Sequence, residues 1–293
     1  MKTLVYGALN IDLIFSVDKI VKPGETISGL SLTKSAGGKG ANQAAALAKA
    51  GMETWMAGKI GEDGRFLLKI LESYGVHTEK VIQYEGPSGQ ALIQVDREGQ
   101  NSIILFAGGN GLVGPDEIEQ CLSYFEKGDW VLLQNEIANT DLIMKTAKKR
   151  EMRIALNPSP WNEGADLLPL ELADVFFINE IEGAGLAKLE PDASAESIID
   201  KLCSRFPETE IILTVGRDGA YYGHGKSRAR AEAVPVSAVD TTGAGDCFSG
   251  YFLAGREKGL SVRESLDIAC KAAAIAVSRK GAMESIPFKD EIF

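Results

Sequence analysis

The run Asp240-Thr241-Thr242-Gly243-Ala244-Gly245-Asp246 leads straight into Cys247-Phe248-Ser249-Gly250-Tyr251-Phe252-Leu253. Its two glycines let the backbone approach a ligand, and an apolar helix is predicted to begin immediately behind them. The unpaired N–H groups of that helix end suit an anion such as a phosphate. Asp246 places a carboxylate in the first turn, beside the anion hole. A hole for developing negative charge with a base next to it is what phosphoryl transfer to an alcohol requires. Taken alone, the same residues also describe a glycine turn with an aspartate near a helix start.

Upstream of this stretch, apolar runs of strand length alternate with helical patterns. Thr3–Gly7 reads as a buried first strand and Ala41–Ala50 as an alanine-rich helix closed by Gly51. A strand near Thr54–Gly58 and a helix over Phe66–Tyr74 follow. Short strands are then predicted at Trp130–Gln134, Arg153–Asn157, Val175–Ile178 and Ile211–Val215. Past Ala244 the chain reads as helical to about Arg279, with a break near Gly259-Leu260-Ser261. This alternation implies an α/β fold, a doubly wound and mostly parallel sheet with helices on both faces. Two stretches depart from it. Ile11–Thr33 is polar and poorly periodic, and Gln90–Phe106 reads as a hairpin turning at Asp96–Gly99. They are expected to form a small projecting β-sheet that covers a site, as lid segments of about 11–36 and 88–107 within a single domain of 1–293. The alternative is that they extend the central sheet.

Composition limits the functions open to such a fold. The chain has 293 residues, 45% hydrophobic and 25% charged, with a formal net charge of -10. That charge opposes a sequence-independent grip on nucleic acid and binding to an anionic membrane surface. No segment approaches the length of a membrane span, and Asn10 and Asp12 interrupt the first apolar run too early for a signal peptide. Cys121, Cys203, Cys247 and Cys270 are widely spaced, as in a reduced cytoplasmic protein. His77 and His224 are the only histidines, too few for a histidine-rich metal site or a histidine-dependent triad.

Further candidates lie at predicted element ends. Gly37-Gly38-Lys39-Gly40-Ala41-Asn42-Gln43 is a second glycine-rich loop opening a helix. Gly40 stands where a Walker A loop needs Ser or Thr, and no dinucleotide fingerprint follows the first strand. The strand preceding the loop reads as poor. The loop offers close backbone approach, a cation and an amide suited to hydroxyl groups; it also fits a tight turn with a surface lysine. Asn10 and Asp12, at i and i+2 past the first strand, share one face of an extended segment, and Glu136 follows a strand at the same edge. Asn179 and Glu182 lie at i and i+3 after Val175–Ile178, where they suit a hydrated magnesium ion or a plain helix cap. Thr214-Val215-Gly216-Arg217-Asp218-Gly219 ends another strand with a glycine turn that can pass under a nucleotide.

In this order and spacing the chain resembles the ribokinase-like (phosphofructokinase-B type) carbohydrate kinases over nearly its whole length. Three stretches carry the resemblance: Gly38–Ala44, Asp240–Asp246, and Arg279-Lys280-Gly281-Ala282 followed by Ser285 and Pro287. It implies ATP-dependent transfer of phosphate to a primary hydroxyl of a furanose. D-Ribose, giving ribose 5-phosphate, is the expected acceptor, with fructose, a nucleoside or another sugar as alternatives. Carried over by residue, the resemblance implies that Asn10, Asp12, Gly38, Lys39, Gly40, Ala41, Asn42 and Glu136 bind sugar. Asp246 becomes the base, with the amides of Gly243, Ala244, Gly245 and Asp246 as the anion hole. Asn179 and Glu182 organise Mg2+ and phosphate. Thr214, Val215, Gly216, Arg217, Asp218, Gly219, Gly245 and Cys270 belong to the ATP site. Asp240, Thr242, Ala276, Arg279, Gly281 and Ser285 match a monovalent-cation site for K+.

Three departures accompany the match. Cys270 stands where some members place a histidine beside adenine, and Gly109 and Gly111 flank Asn110 where alanines are commoner. Met283-Glu284 lies where a Gln-x pair is commoner. A catalytically silent sugar-binding module on the same fold is the rival from another class. The intact Asp246 and Asn179/Glu182 pair speak against it, as the missing glycine fingerprint does against a dehydrogenase. A projecting sheet with one apolar face suits a homodimer in which two lids pack together.

Overall fold

The computed structural model describes residues 1–162 and 164–293. In chain order the elements are β1 (Thr3–Tyr6), β2 (Asn10–Ser16), β3 (Ser31–Gly37), α1 (Lys39–Lys49), β4 (Thr54–Ile60), α2 (Arg65–Ser73) and β5 (His77–Gln83). The hairpin β6 (Gly89–Val95) and β7 (Asn101–Phe106) follows, then α3 (Pro115–Leu122), β8 (Trp130–Gln134), α4 (Thr140–Lys149), β9 (Arg153–Asn157) and β10 (Val175–Asn179). The chain closes with α5 (Glu180–Ala187), α6 (Ala195–Arg205), β11 (Glu210–Thr214), β12 (Ala220–His224), β13 (Ser227–Ala231), α7 (Ala244–Glu257) and α8 (Val262–Val277).

Nine strands form the central sheet in the order β13-β12-β11-β10-β9-β8-β1-β4-β5, parallel from β11 through β5, with β12 and β13 antiparallel at one edge. The strand order reverses between β1 and β8, the switch point at whose carboxyl edge ligands bind in open α/β sheets. The period of two along each strand divides the core. Val5, Met56, Leu132 and Phe177 face α1, α2, α7 and α8, whereas Leu4, Tyr6, Val131 and Phe176 face α3 to α6. On the first face α1 and α7 pack closely, because a side chain at Gly250 would stand 2.6 Å from the Ala46 Cβ. That contact brings the N-terminal turns of the two helices together.

A separate four-stranded sheet, β3-β2-β6-β7, is formed by the two stretches that break the alternation. They do not extend the central sheet. The segment before the glycine loop, which reads as a poor strand, is β3, paired antiparallel with β2 from Ser31 to Gly37. It sits at the sheet edge with its first four residues exposed, so it carries no alternation to read. β5, β12 and β13 are likewise absent from the sequence expectation. The edge strands β5 and β13 are polar and half-exposed, and β12 follows a short 3-10 turn at Gly216–Asp218.

Candidate active site

Gly243 has φ 74°, a left-handed conformation that glycine adopts without strain, and from it the chain turns into α7. The N–H groups of Gly245 and Asp246 find no acceptor among the described residues, as expected of the first turn. Asp246 is buried there. Its Oδ2 accepts from Asn42 Nδ2 at 3.0 Å and its Oδ1 from Gln43 Nε2 at 2.9 Å. Gln43 is oriented in turn by Gln134 at the end of β8, whose Nε2 donates to Gln43 Oε1 at 2.6 Å. Burial pushes the Asp246 carboxyl up to about 6 against the pull of the two amides and Lys39. It is therefore ionised at neutral pH and more basic than an ordinary aspartate.

The loop before α1 is held by two close backbone approaches. Gly38 has φ 94°, and a side chain at Gly40 would meet the Ala8 nitrogen and the Gly7 carbonyl carbon at 2.6 Å. Gly40 and the fully buried Ala41 thus pack on the end of β1, where Ala41 N–H donates to the Ala8 carbonyl. Lys39 Nζ donates to Glu136 Oε1 at 2.8 Å, and its backbone N–H to Oε2 at 3.3 Å. Burial pulls the Lys39 ammonium down, but Glu136, Asp246 and Glu182 outweigh it and hold the ammonium above its ordinary value. Asp12, on β2, lies against Gly37, where an added side chain would overlap its carboxylate. Burial, with Glu136 and Glu284 adding to it, raises Asp12 to about 7. Asn10 is buried beside Asn110, whose Nδ2 donates to Asn10 Oδ1 at 2.8 Å.

A cavity of about 200 Å³ joins Lys39 and Asp246 to Gly243, Asn179, Glu182 and Thr214. Asn179 caps α5: its Oδ1 accepts from Glu182 N–H at 2.9 Å, and Glu182 Oε2 accepts from Asn179 N–H at 3.0 Å. The pair is thus a capping box and also part of the cavity wall. A larger cavity of about 720 Å³ adjoins it, and Thr214, Thr241, Ala244 and Gly245 line both. Gly216, Arg217, Gly219 and Cys270 line the larger one. Val215 instead packs in the core, and Asp218 closes the turn with its backbone N–H on the Val215 carbonyl. Residues 233–238, an irregular segment with no periodicity to read, complete the wall. Two buried amides, Gln43 and Gln134, receive no role from the sequence. They orient Asp246 through partners 91 and 203 residues apart along the chain.

Behind the anion hole, Asp240 Oδ1 accepts from Thr242 N–H and Oδ2 from Gly281 N–H, both at 3.0 Å. Burial works against the charge, but these bonds and Lys280 hold Asp240 below the usual carboxylate range. Ala276 accepts from Arg279 N–H at the end of α8, and Ser285 Oγ donates to the Ala282 carbonyl. The Arg279 guanidinium turns away to Glu291. Lys49, buried on α1, donates to the carbonyls of Met283 and Ile286 and anchors this loop. Among the described residues no three His, Cys, Asp or Glu side chains cluster as a metal cage.

The model of the family described as pfkB family carbohydrate kinase matches residues 2–289. The chain belongs to the pfkB family. This pfkB-family chain is 35% identical to the ribokinase of Bacillus subtilis, over 98% of its own length and 97% of the relative's. It is 33% identical to a bifunctional ribokinase/ribose-5-phosphate isomerase A of Fructilactobacillus sanfranciscensis, over 99% of its own length but 55% of the relative's, so it spans about half of that protein. The structure of Arabidopsis thaliana ribokinase complexed with ribose and ATP superposes with a TM-score of 0.86 at 28% identity, covering 99% and 96% of the two chains. The protein is thus a sugar kinase with the ribokinase fold. No described helix is long and apolar enough to cross a membrane.

Proposed function

We propose that this kinase transfers the γ-phosphate of ATP to the primary 5-hydroxyl of D-ribose, giving ribose 5-phosphate and ADP. The observation that carries the reading is Asp246: a buried carboxylate, oriented by two amide donors, in the first turn of a helix that lines the cavity. The hydroxyl proton passes to an Asp246 oxygen while the new O–P bond forms and the bond from the γ-phosphorus to ADP breaks. Because the transition state is loose, positioning and charge neutralisation contribute more than the base. Asn10, Asp12, Gly38, Lys39, Asn42 and Glu136 hold the sugar, with Gly40 and Ala41 shaping the loop. The Gly243–Asp246 turn receives the transferring phosphate, chiefly through the N–H groups of Gly245 and Asp246, since the Ala244 N–H donates to the Thr241 carbonyl at 3.3 Å. The larger cavity takes the nucleotide, between Thr214–Gly219 and the wall that includes Cys270.

The residues fit two ions. Magnesium binds through one or two carboxylates plus substrate phosphates and water, and Glu182, with Oε1 outside its capping bond, supplies such a carboxylate beside Asn179. Bound there, the ion would neutralise phosphate charge. Asp240 stays ionised and joins the carbonyls near Ala276, Arg279 and Gly281, and Thr242 and Ser285, in a set suited to a large, weakly hydrated cation such as potassium. Its loop adjoins the hole, since a side chain at Gly243 would stand 3.4 Å from Ala282.

In this reading the β3-β2-β6-β7 sheet is a lid over the sugar. Its exposed Leu32, Ile103, Ile104, Leu105 and Phe106, with Leu30 just before β3, support a homodimer in which two lids pack together. The four free, buried cysteines support a cytoplasmic setting. A coupled assay of ADP release across a panel of sugars and nucleosides tests the assignment. Ribose is expected to give the highest kcat/KM, and a nucleoside or hexose exceeding it would reassign the acceptor.

A further inference from the structure

Asn110 lies in the short 3-10 turn Gly108–Leu112 that follows β7, 2% exposed and 100 residues from Asn10. Its Oδ1 accepts from Leu9 N–H at 3.1 Å, its Nδ2 donates to Asn10 Oδ1 at 2.8 Å, and its carbonyl accepts from Ala138 N–H at 2.9 Å. The roots of three strands of the small sheet meet here. Asn10 opens β2, Gly89 opens β6, and the turn itself follows β7. A side chain at Gly89 would overlap both amides, so glycine there makes the contact between them possible.

The bond from Leu9 fixes the polarity of the whole arrangement. A backbone N–H can only donate, so the Asn110 atom that faces it is the carbonyl oxygen, and the other terminal atom is the NH2 group. The Asn10 atom meeting that NH2 must then be an acceptor. Asn10 is left with Nδ2, which has no acceptor among the described residues. We infer that Asn110 is a positioning residue that fixes the Asn10 amide with its N–H donors toward the ligand, so that this corner of the site recognises a hydroxyl oxygen as an acceptor. Asp12, two residues along the same strand face, is an acceptor when ionised, so a sugar hydroxyl there receives from Asn10 and donates to Asp12. The inference rests on the proposed sugar site and adds the direction of its hydrogen bonds.

Asn110→Asp keeps an acceptor for Leu9 but sets a second acceptor against Asn10 Oδ1. Asn10 then turns its Nδ2 inward and shows its oxygen to the sugar. With the introduced carboxyl ionised, KM for ribose is expected to rise about tenfold or more, with kcat and KM for MgATP little changed, while the buried carboxylate lowers the thermal unfolding midpoint. Acting through Asn10, the substitution should add little in an Asn10→Ala background. Should Asn110→Asp not fold, Asn10→Asp keeps the acceptor for Asn110 Nδ2 and presents the wrong polarity to the sugar, so it should raise KM alike. An unchanged ribose KM in the folded variant, or a full additional loss in the Asn10→Ala background, overturns the inference while leaving the wild-type activity intact. A wild type without sugar-dependent ADP release instead overturns the proposed function, and this inference with it.

Discussion

The substitution Asp246→Asn should yield an enzyme that is more stable and nearly inactive. The rise of the Asp246 carboxyl from its ordinary 3.8 to about 6 is caused chiefly by burial. It corresponds to about 3 kcal/mol by which the ionised group disfavours the folded state. An acid whose folded pKa is raised contributes stability below its unfolded pKa and loses it as pH rises through the folded value. The penalty therefore grows between about pH 4 and pH 6 and is constant above. The neutral amide removes it. Gln43 cannot reverse to suit the new NH2 group, because its Oε1 is held by Gln134 at 2.6 Å. Asn42 can, since its Oδ1 is buried without a partner among the described residues and can turn to accept from the introduced NH2 group in place of the present bond. One unpaired atom is exchanged for another, and the net gain should be about 1–3 kcal/mol at pH 8, shrinking toward pH 4. Without an acceptor for the hydroxyl proton, kcat should fall by roughly 10²–10⁴. In the wild type kcat should decline below about pH 6 as Asp246 protonates, whereas kcat/KM should begin to fall from about pH 7, where Asp12 protonates and stops accepting from the sugar. Urea unfolding at the two pH values, with steady-state rates on the same preparations, measures all of this. A variant that keeps wild-type kcat would remove Asp246 as the base, and one clearly less stable than wild type at pH 8 would mean that its buried charge does not destabilise the fold.

Potassium should raise the initial rate above sodium, and sodium above choline, at matched ionic strength, because Asp240 and the Arg279–Ser285 loop order the helix end that receives charge; equal rates in all three salts would reject this role. Saturating ribose should slow amide exchange in residues 11–33 and 90–106, while β10 and β11 change little, if the small sheet closes over the sugar and expels water. Unchanged exchange in both segments would remove the lid.

The parallel sheet is legible in the sequence because buried central strands are continuous apolar runs. Trp130–Gln134 and Arg153–Asn157 stand as strands over the residues expected. The edge strands are not legible: Ser31–Gly37, His77–Gln83 and Ser227–Ala231 are polar enough to pass for loop, and only pairing makes them strands. At the site, Asp246, Lys39 and Glu136 announce themselves by charge next to glycine turns or strand ends. Gln43, Gln134 and Asn110 do not, because an uncharged amide gains a role only from the atoms it meets, and those come from distant elements. Asn179 and Glu182 allow two readings, cap or ligand pair. The fold places a capping box in the cavity wall, so the two readings are compatible.

Transfer of the γ-phosphate to a primary sugar hydroxyl can be read from the phosphorus NMR spectrum of the product formed from MgATP and D-ribose. A new monoester resonance split by the two protons of the 5-methylene group is expected, appearing in step with ADP. ADP formed without any sugar phosphate, or a monoester coupled to a single ring proton, would contradict such transfer.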